Sequence, residues 1–480
     1  MILRFLLHPT RIAAVMLFAA VAACASTAAG PSALPADAVI RSTVSLPPDT
    51  AIAAILRQRV ESGKTPGIVV GILDAAGTRF VSHGTGAPGA AVLDGATLFE
   101  IGSITKTFTS TILADMAARG EVALDDPVAK YLPAGTRVPA SGERVITLLD
   151  LATHFSGLPR LPNNLSPRDI RNPYADYTAD KLYAFLAAHE LARVPGERFD
   201  YSNLGAGLLG HTLALRAGTD YETLVRTRVL GPLGMRDTKI TLAPADSARL
   251  AAGHNAGGQV VPVWDLASLQ GAGSLRSSAA DMLRYLAANI AAHVDSASSR
   301  PLAAALQLTH EPRHSLGGGA DMGLGWIGAT TQSGARIFSH DGGTGGHRSF
   351  AAFDPARRVA VIVLSASAAD VNDIGRHLLD DSYPLTRERV AITLPPETLD
   401  GLVGEYALTP EFQITITREG SRMYLQATGQ PRFPLYAESE NSFFLRVVEA
   451  QVAFTRGPDG KATVLTLHQG GASTPGQRVK

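Results

Sequence analysis

The apolar positions of this chain change their period several times, and each change marks an element. After the basic residues Arg4 and Arg11, Ile12 to Ala23 is an unbroken apolar run. It is too short to span a bilayer with comfort and suits the apolar core of an export signal. Further on, the spacing predicts a helix over 49–61 and two strands, Ile68–Leu73 and Arg79–Ser82, joined by a turn ending at Gly77. Between Ser103 and Ala118, residues Phe108, Ile112, Leu113 and Met116 form one apolar helical face, with Gly120 as a stop. Residues 120–260 read as mostly helical, with many Pro and Gly turns. Ser278 followed by Asp281 predicts another helix start. Extended segments return at Arg336–Ser339, Ser349–Phe353 and Val359–Leu364, before a last helix over 369–382. Strands at both ends with helices between predict an α+β fold: an antiparallel sheet flanked by helices, with an inserted helical region.

After Pro395 and Pro396 the texture becomes short and β-rich: Gln413–Thr417, Met423–Ala427, Phe443–Val447, Gln451–Thr455 and Thr463–His468. Strands this short, spaced by turns, predict a small C-terminal antiparallel β-barrel. The domain plan is an export signal over 1–25, a flexible tether over 26–47 rich in Ala, Pro, Ser and Thr, a large domain over 48–385, a linker over 386–396 and the barrel over 397–480. The apolar run ends in Val21-Ala22-Ala23-Cys24, which resembles a bacterial lipoprotein signal with Cys24 as the lipidated residue. Ordinary cleavage nearby is the plainer reading and would discard Cys24. Either way the mature chain has no thiol for disulfides, metal binding or catalysis, because Cys24 is the only cysteine. The expected location is exported and periplasmic, with a membrane tether if Cys24 is lipidated.

Charge narrows the function. The chain holds 43 Lys plus Arg and 43 Asp plus Glu, so it lacks the basic excess that displaces phosphate counterions, and nucleic acid is not an expected partner. Ser103-Ile104-Thr105-Lys106 places a hydroxyl and an amine three residues apart at a helix start, where they share a face. A hydroxyl needs such a neighbour to become a nucleophile at neutral pH, and a helix N-terminus favours an oxyanion. By itself the pattern also fits a capping serine followed by a surface lysine.

Its surroundings decide between the two. The segment Phe99–Phe108 resembles the active-site helix start of class C β-lactamases and related serine D,D-carboxypeptidases. Leu149–Pro159, Pro195–Gly205, Gly273–Asp281 and Ser339–Gly346 resemble further segments of that family in the same order, over about residues 50–380. The resemblance implies that Ser103 forms an acyl-enzyme and that Lys106 and Tyr201 share proton handling. It further implies that Asn203 holds the substrate, and that the N–H groups of Ser103 and Gly343 form an oxyanion hole, with Gly342 beside it. His340 is a departure: class C enzymes usually have Lys-Thr-Gly where this chain has His340-Asp341-Gly342. A histidine pulls less on a substrate carboxylate than a lysine does. Asp341 would oppose such a carboxylate if it faced the cleft, although strand alternation could turn it away. The C-terminal part resembles the lipocalin-like β-domains appended to some members.

Other signals fare worse. His310-Glu311-Pro312-Arg313-His314 matches a zinc-binding pattern by letter, but Pro312 would break the helix that pattern needs. His154 reads as structural, and no Gly-x-Ser-x-Gly elbow occurs. The reading is a metal-free, cofactor-free serine hydrolase that acts on a small-molecule or peptide substrate, a β-lactam or a D-amino-acid peptide. The alternatives are a carboxylesterase of the same family and a penicillin-binding sensor or envelope scaffold that acylates without turnover.

Overall fold

The computed structural model describes residues 42–86, 92–294, 301–387 and 389–480. The expected export signal, Cys24 and the expected tether up to residue 41 lie outside the described residues. The end of that tether is docked rather than free. Leu46 is buried and its N–H donates to the Asp74 carboxylate at 2.9 Å, while Ser42 Oγ donates to the Arg357 carbonyl at 2.8 Å.

Helix α1 (Asp49–Glu61) leads into the hairpin β1 (Gly67–Asp74) and β2 (Gly77–Gly84). Strand β3 (Leu98–Glu100) precedes helix α2 (Thr105–Ala118). The insert carries α3 (Leu148–Thr153), α4 (Ala179–Ala188) and α5 (Asn203–Ala217). Strand β4 (Arg276–Ser278) pairs with β3 and is followed by α6 (Ala279–Val294) and α7 (Pro301–Thr309). Six strands follow: β5 (His314–Gly317), β6 (Ala320–Met322), β7 (Ile327–Thr330), β8 (Arg336–Gly343), β9 (Arg348–Asp354) and β10 (Val359–Ser365). Helix α8 (Asn372–Leu379) completes this part. The main sheet runs β2-β1-β10-β9-β8-β7-β6-β5 with antiparallel neighbours, so strands from the two ends of the domain meet at its centre, Ile68 opposite Ser365.

Alternation assigns the two faces of this sheet. Val69 and Leu73 of β1 join the core formed with α2 and α6, whereas Ile68, Val70 and Ile72 join the core under α1 and α8. All eight positions of β1 are buried, because helices cover both sides. The predicted α+β architecture is the observed one.

Two expectations change in detail. Helix α2 is not one-sided: every residue from Thr105 to Met116 is buried, since helix α7 packs on one side and the insert wraps the other. Its buried threonines are satisfied internally; Thr109 Oγ1 donates to the Gly271 carbonyl at 2.8 Å and Thr111 Oγ1 to the Thr107 carbonyl at 2.9 Å. Residues 120–260 hold less helix than predicted, and the stretch from His154 to Thr178 is a long irregular loop. Pro159, Pro162, Pro167 and Pro173 punctuate it and remove the N–H groups a helix would need. The break expected at Pro312 is observed: His310 follows the last residue of α7 while His314 opens β5, so the two never share a helix. His310 instead stacks on His293, with ring centroids 4.8 Å apart.

The C-terminal part begins with helix α9 (Pro396–Asp400) and forms a closed eight-stranded antiparallel barrel. Its strands are β11 (Gly404–Ala407), β12 (Gln413–Glu419), β13 (Arg422–Ala427), β14 (Arg432–Ala437), β15 (Ser442–Phe444), β16 (Ala450–Arg456), β17 (Ala462–Gln469) and β18 (Ala472–Arg478). Ile414, Ile416, Met423, Leu435, Phe443, Val452 and Leu465 fill its interior. No helix among the described residues is long and apolar enough to cross a membrane.

Candidate active site

Ser103 sits in a single 3₁₀ turn, Gly102–Ile104, that runs straight into α2. The turn is pinned against the end of β8. Ser349 Oγ donates to the Ile101 carbonyl at 2.9 Å, and a Cβ placed on Gly102 would stand 2.6 Å from the Gly343 nitrogen. Gly102 also has φ +49, so the site needs a residue that tolerates both the left-handed backbone and the close approach. The turn and the strand thereby bring the backbone of Ser103 next to that of Gly343.

Lys106, one helical turn on, is 2% exposed. Its Nζ donates to Ser103 Oγ at 2.9 Å, Asn203 Oδ1 at 3.0 Å and the Ala272 carbonyl at 2.7 Å. Burial, reinforced by the Arg160 guanidinium, holds the amine well below the usual lysine range, while Asp341 pulls the other way. The dominant cause is therefore desolvation. Three acceptors serve an ammonium. When Lys106 is neutral, the same geometry lets its lone pair accept the Ser103 hydroxyl proton while two N–H bonds remain satisfied.

Tyr201 and Asn203 arrive from the start of α5. Ser202 caps that helix, its Oγ accepting the Gly205 N–H at 2.8 Å, and this fixes the direction of both neighbours. The Lys106 Nζ lies 4.9 Å from the Tyr201 ring centre, and Arg160 lies 5.1 Å from it. Burial pushes the Tyr201 phenol far above its usual range, and a hydrogen bond with Ser103 only partly opposes this. Beneath the ring, His154 packs with centroids 4.4 Å apart and accepts the Ser202 N–H on Nδ1 at 3.1 Å. His154 is thus a scaffold for the Tyr201 turn, kept neutral by burial.

The structure gathers Ser103, Tyr201, Asn203 and Gly343 around one cleft of about 640 Å³, with Lys106 as its floor. Gly342 and His340 face away from it. Gly342 packs on Ile101, and His340 is buried behind Tyr201 with Nδ1 donating to the Asp341 carbonyl at 2.6 Å. Burial lowers His340 to about 4, against the opposing pull of Asp341. Asp341, on the other face of the strand, lines the cleft. Sequence reading missed Arg160, Tyr174, Trp264 and Arg348, which also line it. Arg160 directly follows one recognisable segment and Arg348 follows another by two residues, yet nothing in their spacing marks them as cleft residues.

A buried network supports the turn after β8. Glu100 accepts from Thr344 Oγ1 at 2.8 Å, His347 Nδ1 at 3.0 Å and the Trp264 N–H at 2.7 Å. Burial alone would raise this carboxyl; the hydrogen bonds and the attraction of His347 outweigh it and hold it below the usual range. Among the described residues no cluster of three His, Cys, Asp or Glu could hold a metal ion.

Beta-lactamase is the family whose profile matches residues 52–381, and a domain of unknown function, DUF3471, matches 388–478. The chain is 31% identical over 315 residues to the D-alanyl-D-alanine-carboxypeptidase/endopeptidase AmpH of Escherichia coli (strain K12), which covers 63% of this chain and 80% of that protein. It is 26% identical over 419 residues to penicillin-binding protein 4* of Bacillus subtilis (strain 168), covering 80% and 88%. Among solved structures, the β-lactamase/D-alanine carboxypeptidase from Yersinia pestis complexed with citrate is similar with a TM-score of 0.59 and 26% identity, over 69% of this chain and 98% of that one. The octameric penicillin-binding protein homologue from Pyrococcus abyssi shares the fold over 89% of this chain and 99% of its own, with a TM-score of 0.61 and 22% identity. The chain belongs to the β-lactamase family and is a serine hydrolase of that family, carrying a closed eight-stranded barrel after the hydrolase fold.

Proposed function

We propose that the protein hydrolyses D-alanyl peptides or β-lactams through an acyl-enzyme on Ser103, with Lys106 as the base. The observation that carries this is the 2.9 Å contact between Lys106 Nζ and Ser103 Oγ inside a buried pocket that favours the neutral amine. Ser103 Oγ bonds to the substrate carbonyl carbon as its proton passes to Lys106. The N–H groups of Ser103 and Gly343 stabilise the oxyanion, a donor pair whose members are each worth about 10²–10³ in rate. The proton then moves to the leaving nitrogen and the C–N bond breaks. Water attacks the ester, gives up a proton to the same base, and frees the carboxylic acid and Ser103. Tyr201, held as a phenol, relays protons toward the leaving group, and Asn203 orients Lys106 and the substrate amide. The relatives named for D-alanyl-D-alanine and β-lactam chemistry support this substrate class.

A second reading, a carboxylesterase, is favoured by the acidic Asp341 in the cleft and the neutral His340 behind it. A substrate panel separates the two: a D-alanyl-D-alanine peptide, a chromogenic cephalosporin, a fluorescent penicillin and a p-nitrophenyl ester, each beside Ser103→Ala. Release of D-alanine or rapid loss of the penicillin label, absent in the variant, supports the proposal. Ester turnover alone rejects it, and a label that persists without turnover leaves a sensor. The chain is further read as exported, with Cys24 lipidated. Retention in the membrane fraction that is lost in Cys24→Ala would support that tether, and equal fractionation of both proteins would remove it.

A further inference from the structure

A serine hydrolase cleft that accepts a free carboxylate needs a cation to receive it, and His340 cannot serve. It is buried, faces away from the cleft and commits its Nδ1 proton to its own strand. The cleft contains a different cation. Arg348, the first residue of β9, pairs across the sheet with Gly343, the last residue of β8. Its guanidinium lies on the face of that glycine, so that a Cβ at position 343 would overlap Arg348 Nη1. Glycine at 343 leaves room for that group: a side chain there would occupy the place of the guanidinium.

The group is also uncommitted. Arg348 is half-buried and lines the cleft, but its guanidinium donates no hydrogen bond to, and forms no ion pair with, any described residue. Most arginines of this domain that come as close to the interior are tied down; Arg59 reaches Asp373 at 2.7 Å, and Arg276 donates to the Trp264 carbonyl at 2.6 Å. Asp341 lies two residues before Gly343 on the same face, diagonal to Arg348, without closing a salt bridge. An acid and a guanidinium left apart on one cleft floor sort a ligand by charge: a carboxylate is drawn to the Gly343 end and repelled from the Asp341 end. The fork of the guanidinium matches both oxygens of a carboxylate.

We infer that Arg348 is the specificity residue that receives a substrate carboxylate beside the oxyanion turn, in the role His340 cannot fill. This rests on the serine-hydrolase reading of the cleft but does not require that the scissile bond be a peptide. Arg160, the other guanidinium in the cleft, lies over the Tyr201 ring and is the comparison residue.

The test uses two pairs of substrates on the full-length protein. One pair is N-acetyl-D-alanyl-D-alanine and its C-terminal amide. The other is 3-acetoxybenzoate and 3-acetoxybenzamide, whose leaving groups differ only in the carboxylate. Charged hydrogen bonds of this kind are worth about 1.5–3 kcal/mol, so the carboxylate member should be preferred by about 10- to 100-fold in kcat/KM. Arg348→Ala should abolish that preference in KM while changing the neutral member less than about threefold. Arg348→Lys should keep part of it, and Arg160→Ala should leave it intact. Equal losses on both members, a preference that survives Arg348→Ala, or one that vanishes in Arg160→Ala would each overturn the assignment. If only the esters turn over yet keep an Arg348-dependent preference, the peptide reading fails and this one stands. If nothing turns over, both fail.

Discussion

His340 illustrates how one buried side chain bears on acid tolerance. It keeps a neutral imidazole because burial lowers it from 6.5 to about 4. Between these two values the unfolded chain binds a proton that the folded chain refuses, so stability falls as pH drops from 6.5 to about 4 and levels off below. A shift of this size corresponds to roughly 3 kcal/mol. His340→Asn, whose amide N–H can still reach the Asp341 carbonyl, should lose about 2–3 kcal/mol less than the natural protein between pH 7 and pH 4. Urea unfolding at the two pH values measures this, and parallel losses would show that position 340 does not bury a neutral base. At this scale the sequence was informative about identity and poor about orientation. Ser103, Lys106, Tyr201 and Asn203 could be placed by their neighbours along the chain. The alternation of His340 inward and Asp341 outward needed the strand to be seen, because either phase of a short strand next to glycines is compatible with the residue order.

Among elements, the turn between β8 and β9 depends on Glu100, which reaches it from β3. Glu100→Gln keeps the shape but leaves His347, Thr344 and the Trp264 N–H around a weaker acceptor. Removing one charge of a buried pair commonly costs about 3–5 kcal/mol. A lowered urea midpoint and a fall in kcat/KM of about tenfold or more are the expected results, the second because Gly343 is adjacent to Thr344. Unchanged kinetics in a destabilised variant would limit Glu100 to a folding role. Elements were legible where burial imposed a period. β1, β9 and β10 carry nearly continuous apolar runs between turn residues, and α1 matches its predicted span. Strands β5 to β7 escaped notice because Gly317, Gly318, Gly319, Gly323, Gly325 and Gly328 interrupt any alternation. Likewise β18 holds Pro475 and mostly exposed residues, and it becomes a strand through its hairpin pairing with β17.

For the molecule as a whole, the barrel touches the linker and the hydrolase part at discrete points. Arg389 of the linker pairs with Glu438 at 2.8 Å and Ile392 of the linker bridges to Ala437, while Arg446 of the barrel occupies the space above Gly63 of the hydrolase part. No barrel residue is among those lining the cleft around Ser103. Removing residues 397–480 should therefore leave kcat/KM for a small chromogenic ester within about threefold while exposing apolar surface of the linker. Steady-state assays and light scattering on the truncated protein would test both halves of this expectation, and loss of all ester turnover in a folded truncation would give the barrel a part in the chemistry. The barrel class was readable from the change in strand length after residue 396, but its closure depends on pairing β11 with β18, a relation between distant segments that no local pattern contains.

The clamp between Ser349 Oγ and the Ile101 carbonyl joins residues 248 positions apart. A growing chain thus carries Ser103 through the synthesis of the whole intervening stretch before the strand that must flank it exists. Contacts of such long range form late, after the cost of closing the loop has been met. Onset of hydrolysis in a refolding experiment should accordingly coincide with the last structural phase, making catalysis a clock for completed assembly and keeping every partly made copy silent.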